Sequence, residues 1–202
     1  ARRAERPSAA AAAAPPGEEP EFDFEDDFLD VEDFDATGPS PKAHEQEQRP
    51  MQQPSAPSPD DGAPPPAEIF RAYDIRGIVD DTLTESGVAQ IGRAIASEAG
   101  DHGESTVIVG RDGRHSSARL RDALTHGLTA AGCNVIDIGE VPTPLLYFAT
   151  HVLESRSGVM ITGSHNPPEY NGMKVVVAGE TLAEHRIGSL LERIERKRFR
   201  NG

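Results

Sequence analysis

Gly158-Val-Met-Ile-Thr-Gly-Ser164-His-Asn-Pro-Pro-Glu-Tyr-Asn-Gly-Met-Lys174-Val-Val-Val177 takes an apolar run into a polar loop and out into a second apolar run. Two short, buried-type patterns separated by Pro, Asn and Gly read as strand, loop and strand. Asn171-Gly172 is a dipeptide favoured where a tight turn needs positive φ, and it is predicted to reverse the chain and make the strand pair antiparallel. Ser164 then lies just past a strand end, in a loop stiffened by Pro167 and Pro168, with Lys174 carried back toward it. A serine held in this way, with a cation near it, is where chemistry is expected.

Working outward, short apolar runs alternate with helical periodicity from residue 67 onward, the pattern of an α/β domain. Strands are predicted at 106–110, 134–139, 158–162 and 173–177. Helices are predicted at 84–99 with Thr84 as N-cap, at 117–131 ending at Gly132, within 143–153 opened by Pro144, and at 183–197. The antiparallel pair makes the sheet mixed, flanked by helices, and ligands of such sheets gather beyond strand ends, where Ser164 is expected.

Residues 1–66 obey different physics. They hold 16 acidic against 5 basic residues and 13 of the 17 prolines, while residues 67–202 hold 18 acidic against 15 basic. Such a composition buries too little apolar surface to offset chain entropy, so 1–66 is read as a disordered acidic Pro/Ala-rich linker and 67–202 as one domain. Residues 21–35 interleave Phe with Asp and Glu, with Phe24, Phe28 and Val31 at helical spacing, which marks a protein-partner segment or a solvated linker. Its charge argues against nucleic-acid binding, which needs Lys and Arg.

Cys133 is the only cysteine, which excludes an internal disulfide and a cysteine-based zinc cluster and fits a reducing compartment. No run of about 18 apolar residues exists, so a cytoplasmic location is expected, with any membrane segment upstream of residue 1 outside this reading. The histidines at 102, 115, 126, 151 and 185 stand at no metal-ligand spacing.

Around the Ser164 loop, Phe70-Arg-Ala-Tyr73-Asp-Ile-Arg76-Gly77, Val109-Gly-Arg111-Asp112-Gly-Arg114, Val141-Pro-Thr-Pro144 and Val177-Ala-Gly-Glu-Thr-Leu182 follow in fixed order. With Thr162-Gly-Ser-His-Asn-Pro167 they resemble the first-domain segments of the α-D-phosphohexomutases, specifically the bacterial phosphomannomutase/phosphoglucomutase enzymes. The resemblance runs from about residue 68 to the end. It implies that Ser164 is a phosphoserine exchanging its group with a hexose 1- or 6-phosphate through a bisphosphorylated sugar, and that glucose 1,6-bisphosphate activates. It also implies that Lys174 works near the transferring group as acid/base or clamp, with Arg76 close to the phosphoryl and Tyr73 lining the cleft. His165 and Asn166 would orient the loop, and Arg111 and Asp112 would support it.

The chemistry of these residue types agrees. A phosphoserine needs positioning and neutralisation of about −1.5 to −2 charge, and a guanidinium binds phosphate oxygens in pairs. A Ser-His hydrolase is disfavoured, because the Gly-x-Ser-x-Gly elbow is absent and adjacent Ser164 and His165 form an awkward dyad. The Mg²⁺ implied by the family would meet only the phosphate of Ser164 here, since no Asp-x-Asp-x-Asp run follows residue 67. Its remaining ligands, and the sugar-reading and phosphate-gripping loops, belong to downstream domains. The chain begins with Ala and stops where the family continues, so a fragment of a longer enzyme, inactive alone, is expected. Two alternatives stand: a phosphoglucosamine mutase, which shares the serine loop, and a non-catalytic interaction module with an acidic tail.

Overall fold

The computed structural model describes residues 62–201, and the acidic stretch 21–35 with the rest of 1–61 lies outside them. A short 3-10 turn, Ala67–Ile69, leads into β1 (Ile75–Ile78), α1 (Glu85–Asp101), β2 (Thr106–Arg111), α2 (Ser117–Ala130) and β3 (Asn134–Glu140). Then come α3 (Thr143–Val152), β4 (Gly158–Ile161), β5 (Tyr170–Val177), the two-residue β6 (Glu180–Thr181) and α4 (His185–Glu195). All four helices and all four strands expected from periodicity are present. β1 and β6 were not foreseen, being short and, for β6, exposed on both residues.

The strands lie in the order β1-β5-β4-β2-β3, with β6 beside β5. β5 is antiparallel to both its long neighbours, β1 and β4, while β2 is parallel to β3 and β4. The sheet is therefore mixed, as expected, but the expected cause was wrong. Asn171-Gly172 is not a turn: both residues sit inside β5, paired with Gly77 and Arg76 of β1. The reversal is made by residues 162–169, which connect β4 to β5.

Physical reasons put this dipeptide in a strand. Asn171 is fully buried, and its Nδ2 donates to Ser116 Oγ and Ser117 Oγ at 2.9 Å each, tying β5 to the start of α2. A Cβ on Gly172 would stand 2.0 Å from the carbonyl oxygen of Ile75, so only glycine lets β1 come this close.

The main core lies between one face of the sheet and α1, α2 and α4, joining Ile91, Ile95, Leu120, Leu124, Leu128, Val109, Val159, Val175 and Leu190. On the other face α3 packs alone, through Leu146 and Ala149 on Ile108 and Met160. β4 is buried along its whole length, as expected of a strand flanked by strands and covered by helices. Among the described residues no helix is long and apolar enough to cross a membrane.

Local signals set the helix ends. Thr84 caps α1, its Oγ1 accepting from Gly87 N–H at 3.1 Å. α2 stops at Gly132, φ 80°, where Cys133 N–H bonds Leu128 C=O and Gly132 N–H bonds Thr129 C=O, the paired closure of a Schellman motif. No side chain caps the start of α2. Ser116 is already helical (φ −77°, ψ −20°), and its hydroxyl serves Asn171 instead.

α1 and α2 meet backbone to backbone. A Cβ on Gly127 would lie 2.0 Å from Ala89 O, and one on Gly92 2.6 Å from Leu124 O. Gly127→Ala must therefore push the helices apart; we expect a loss of about 1–3 kcal/mol, read as a lower urea midpoint at unchanged slope.

Candidate active site

β4 delivers the chain at Ile161 to the end of the sheet where residues 162–169 begin, and Ser164 stands exposed on this loop. Its φ is 51°. For a residue with a β-carbon this conformation costs about 1–2 kcal/mol, so surrounding bonds must hold it.

Those bonds come from both flanks. Thr162 Oγ1 accepts from Ser164 N–H at 2.9 Å, and Asn166 returns its N–H and its Nδ2 to Gly163 O, both at 3.1 Å. From the end of β2, Asp112 Oδ2 accepts Gly163 N–H at 2.8 Å, while its Oδ1 accepts Arg114 N–H at 3.1 Å and the Ser117 hydroxyl at 2.5 Å. Burial pushes the Asp112 carboxyl up, but the hydrogen bonds from Ser117, Gly163, Arg114 and Thr162 outweigh it and hold the group below its ordinary value.

Arg114 reaches further into the loop than any expected residue. Its Nη1 donates to Pro167 O at 2.6 Å and Tyr170 O at 3.0 Å, and its Nη2 to Asn166 O at 2.6 Å and Ser164 O at 3.2 Å. Gly163 makes room for it: a Cβ there would fall 1.9 Å from Nε. A groove of about 700 Å³, lined in part by Val79, Arg119 and Glu169, shares Arg114 and Asn166 with the loop but does not include Ser164.

Arg76 is buried at 2% exposure, with Nη1 on Thr162 O at 2.5 Å and Nη2 on Asp74 Oδ2 at 2.7 Å. It thus holds the first residue of the loop. Lys174, in β5, pairs with Met160 of β4, and its Nζ is 3.9 Å from the same Asp74 oxygen. Asp74 therefore faces both cations. Tyr73 is 68% exposed on the segment that enters β1, and His165 is exposed beside Ser164.

Of the residues singled out in the sequence, Ser164, His165 and Asn166 stand on this loop, Asp112 and Arg76 hydrogen-bond its backbone, and Lys174 is linked to it only through Asp74. Arg111 is turned aside: its Nη1 donates to Glu140 Oε2 at 2.7 Å and to Asp112 O at 3.2 Å, and no bond reaches the Ser164 loop among the described residues. Its place on β2 beside the edge strand β3 explains this, because Glu140 is its register partner. Sequence reasoning missed Arg114, Thr162, Asp74 and Asn171. Each stood inside a quoted motif, but the partners of Arg114 and Thr162 are mostly backbone groups, and those of Asn171 are hydroxyls more than 50 residues away, none of which leaves a mark in a sequence.

Fold and loop together define an α/β domain of a mixed sheet that presents one exposed serine on a charge-braced strand-end loop. Residues 67–201 match the family described as phosphoglucomutase/phosphomannomutase, alpha/beta/alpha domain I. The chain belongs to this family. It is 60% identical over 137 residues to a phosphomannomutase/phosphoglucomutase of Pseudomonas aeruginosa, covering 68% of this chain and 30% of the relative. It is 50% identical over 132 residues to a phosphoglucomutase of Neisseria meningitidis, covering 65% of this chain and 29% of the relative. A crystal structure of a phosphoglucomutase/phosphomannomutase family protein from Burkholderia thailandensis superposes with a TM-score of 0.65 at 46% identity, over 66% of this chain and 31% of that one. The chain thus spans about a third of the length of the relatives it matches.

The Asp112 anchor has a pH signature. A depressed carboxyl contributes its full stabilisation above the unfolded value near 3.9 and loses it as pH falls through the lower folded value. Asp112→Asn is expected to cost about 1–3 kcal/mol at pH 7, since it weakens acceptors for buried donors. That gap should shrink as pH drops below about 4, measured as urea midpoints of both proteins at pH 7 and pH 3.

Proposed function

We propose that this domain carries the migrating phosphoryl group of a phosphomannomutase/phosphoglucomutase, on Ser164. The observation that supports the reading most is the exposed, left-handed Ser164 on a loop whose amides and carbonyls are tied down by Asp112, Arg114 and Arg76. Phosphoryl transfer requires little covalent help from a protein beyond positioning and charge. A serine fixed in this way offers the first, and Lys174 on the neighbouring strand offers part of the second.

In this reading a hexose phosphate approaches from the solvent side of the loop. Phosphoserine gives its group to the sugar, and the bisphosphorylated sugar returns the other phosphoryl to the Ser164 oxygen. Glucose 1,6-bisphosphate charges the serine by the same chemistry. Lys174 neutralises the transferring group, and it is held only loosely by Asp74, which leaves its charge available. Tyr73 and His165, exposed at the mouth, meet the sugar side. Arg76 acts from beneath, by fixing Thr162 and bringing a buried positive charge under the loop.

The described residues do not form a site for the Mg²⁺ that the family resemblance implies. Among them no three His, Cys, Asp or Glu side chains cluster to hold a metal. The two nearby carboxylates are taken, Asp112 by Ser117 and Gly163 and Asp74 by Arg76. Only phosphoryl oxygens on Ser164 remain as donors, and no step is assigned to the cation.

In the full-length enzyme that carries this domain, incubation with glucose 1,6-bisphosphate should add about 80 Da by intact mass, and Ser164→Ala should abolish the addition. A full-length wild-type enzyme left unmodified would refute the assignment. Lys174→Ala should leave the site of modification unchanged but slow its appearance by about 10²–10³-fold, the scale for removing one group that stabilises developing charge, as timed by rapid quench.

A further inference from the structure

Arg114 does more than tie a loop down. Both of its η nitrogens are spent on carbonyl oxygens, those of Ser164, Asn166, Pro167 and Tyr170, so one side chain fixes the direction of four peptide groups. A peptide group is planar and trans, so its N–H points opposite to its C=O. With the Ser164 carbonyl drawn down onto the guanidinium, the N–H of the same peptide, which belongs to His165, must point away from Arg114. That N–H has no hydrogen-bond partner among the described residues, whereas the N–H groups of Gly163, Ser164 and Asn166 are all engaged. Pro167 and Pro168 have no N–H, so among residues 163–168 the His165 amide is the one left without a partner.

We propose that Arg114 is a positioning residue, which holds the Ser164–His165 peptide so that the His165 amide N–H faces the phosphoryl oxygens on Ser164. This rests on Ser164 being the phosphoryl carrier. A donor fixed in advance is effective because it needs no reorganisation when charge arrives. Lysine cannot replace the arginine, since three donors on one nitrogen cannot span four carbonyls as a planar fork does. Gly163 is part of the device, because any side chain at that position would occupy the space of the guanidinium.

The test places phosphoserine at position 164 during translation, so that no donor is needed, and compares wild type with R114K, R114A and G163A by NMR. Thermal melts run alongside establish that each is folded. In wild type the His165 amide proton should move downfield on phosphorylation, and the phosphate should titrate below the ordinary second pKa of about 6. R114K and R114A should lose both effects. G163A, which keeps the guanidinium charge but displaces it, should lose the downfield shift as well. If R114K keeps the shift and the low phosphate pKa, charge alone is responsible and the proposal fails. It also fails if the wild-type His165 proton does not respond, whatever becomes of the variants. Uptake of phosphate from glucose 1,6-bisphosphate by the full-length enzyme tests the underlying reading by a separate readout: absence of uptake with the His165 response intact would sink the carrier role and leave the peptide geometry standing.

Discussion

Backbone carbonyls that leave a sheet and find no strand to pair with are the constraint on which this domain turns. β4 is buried along its length, but the chain beyond it must run through a loop before β5 resumes the ladder. A backbone in such a place needs partners for its polar groups, because each buried unpaired one costs about 1–3 kcal/mol. Here the partners are ionised side chains. Arg114 collects four carbonyls, Arg76 takes that of Thr162, and Asp112 accepts from Gly163. Hydrogen bonds with one charged partner are stronger than neutral ones, which lets the loop keep a left-handed serine.

The sheet topology makes this possible. Because β2 runs with β4 and β5 runs against it, the ends of β2 and β4 and the start of β5 lie at one end of the sheet. Asp112 and Arg114 follow β2 directly, and Arg76 stands in β1 opposite Gly172, the residue whose carbonyl accepts Thr162 N–H. Gly172 and Gly163 serve the same end, since a side chain at either would meet the backbone of Ile75 or the guanidinium of Arg114. Asn171 adds the last link, from β5 to the hydroxyls at the start of α2.

Periodicity made the helices and the buried strands legible, because the core is laid out at regular spacing: Leu120, Leu124 and Leu128 all fall in it. The mixed sheet was legible too, but through a false cue. Asn-Gly is a turn dipeptide when it is exposed; here burial of Asn171 and close approach at Gly172 explain the same two letters. β1 escaped notice because four residues, one of them a buried arginine, carry no alternation. At the site, the serine and its cations were legible as residue types, and so was the motif that carries Asp112. The role of Arg114 was not, for it lies between a side chain and four carbonyls from another part of the chain. Arg111 and Arg114 are three residues apart in one motif, yet only the geometry separates a surface pair with Glu140 from the clamp of the loop.

Charge near Ser164 follows from these contacts. Arg76, Arg114 and Lys174 bring three positive charges, and Asp74 and Asp112 return two negative ones, at 2.7 Å from Arg76, 3.9 Å from Lys174 and 3.6 Å from the Arg114 Nε. The neighbourhood is left with roughly one positive charge against the −1.5 to −2 of a phosphoserine. The deficit lies on the solvent side, because Arg76 and Arg114 are committed beneath the loop. On the phosphoryl-carrier reading, the domain therefore holds the group in place without fully neutralising it. Further positive charge must arrive from the open side, and that is the side from which a phosphorylated sugar, itself anionic, would also have to come. A carrier left short of cations is poised to give its group away once they are supplied, because the same charges that stabilise the transfer are those the resting domain lacks.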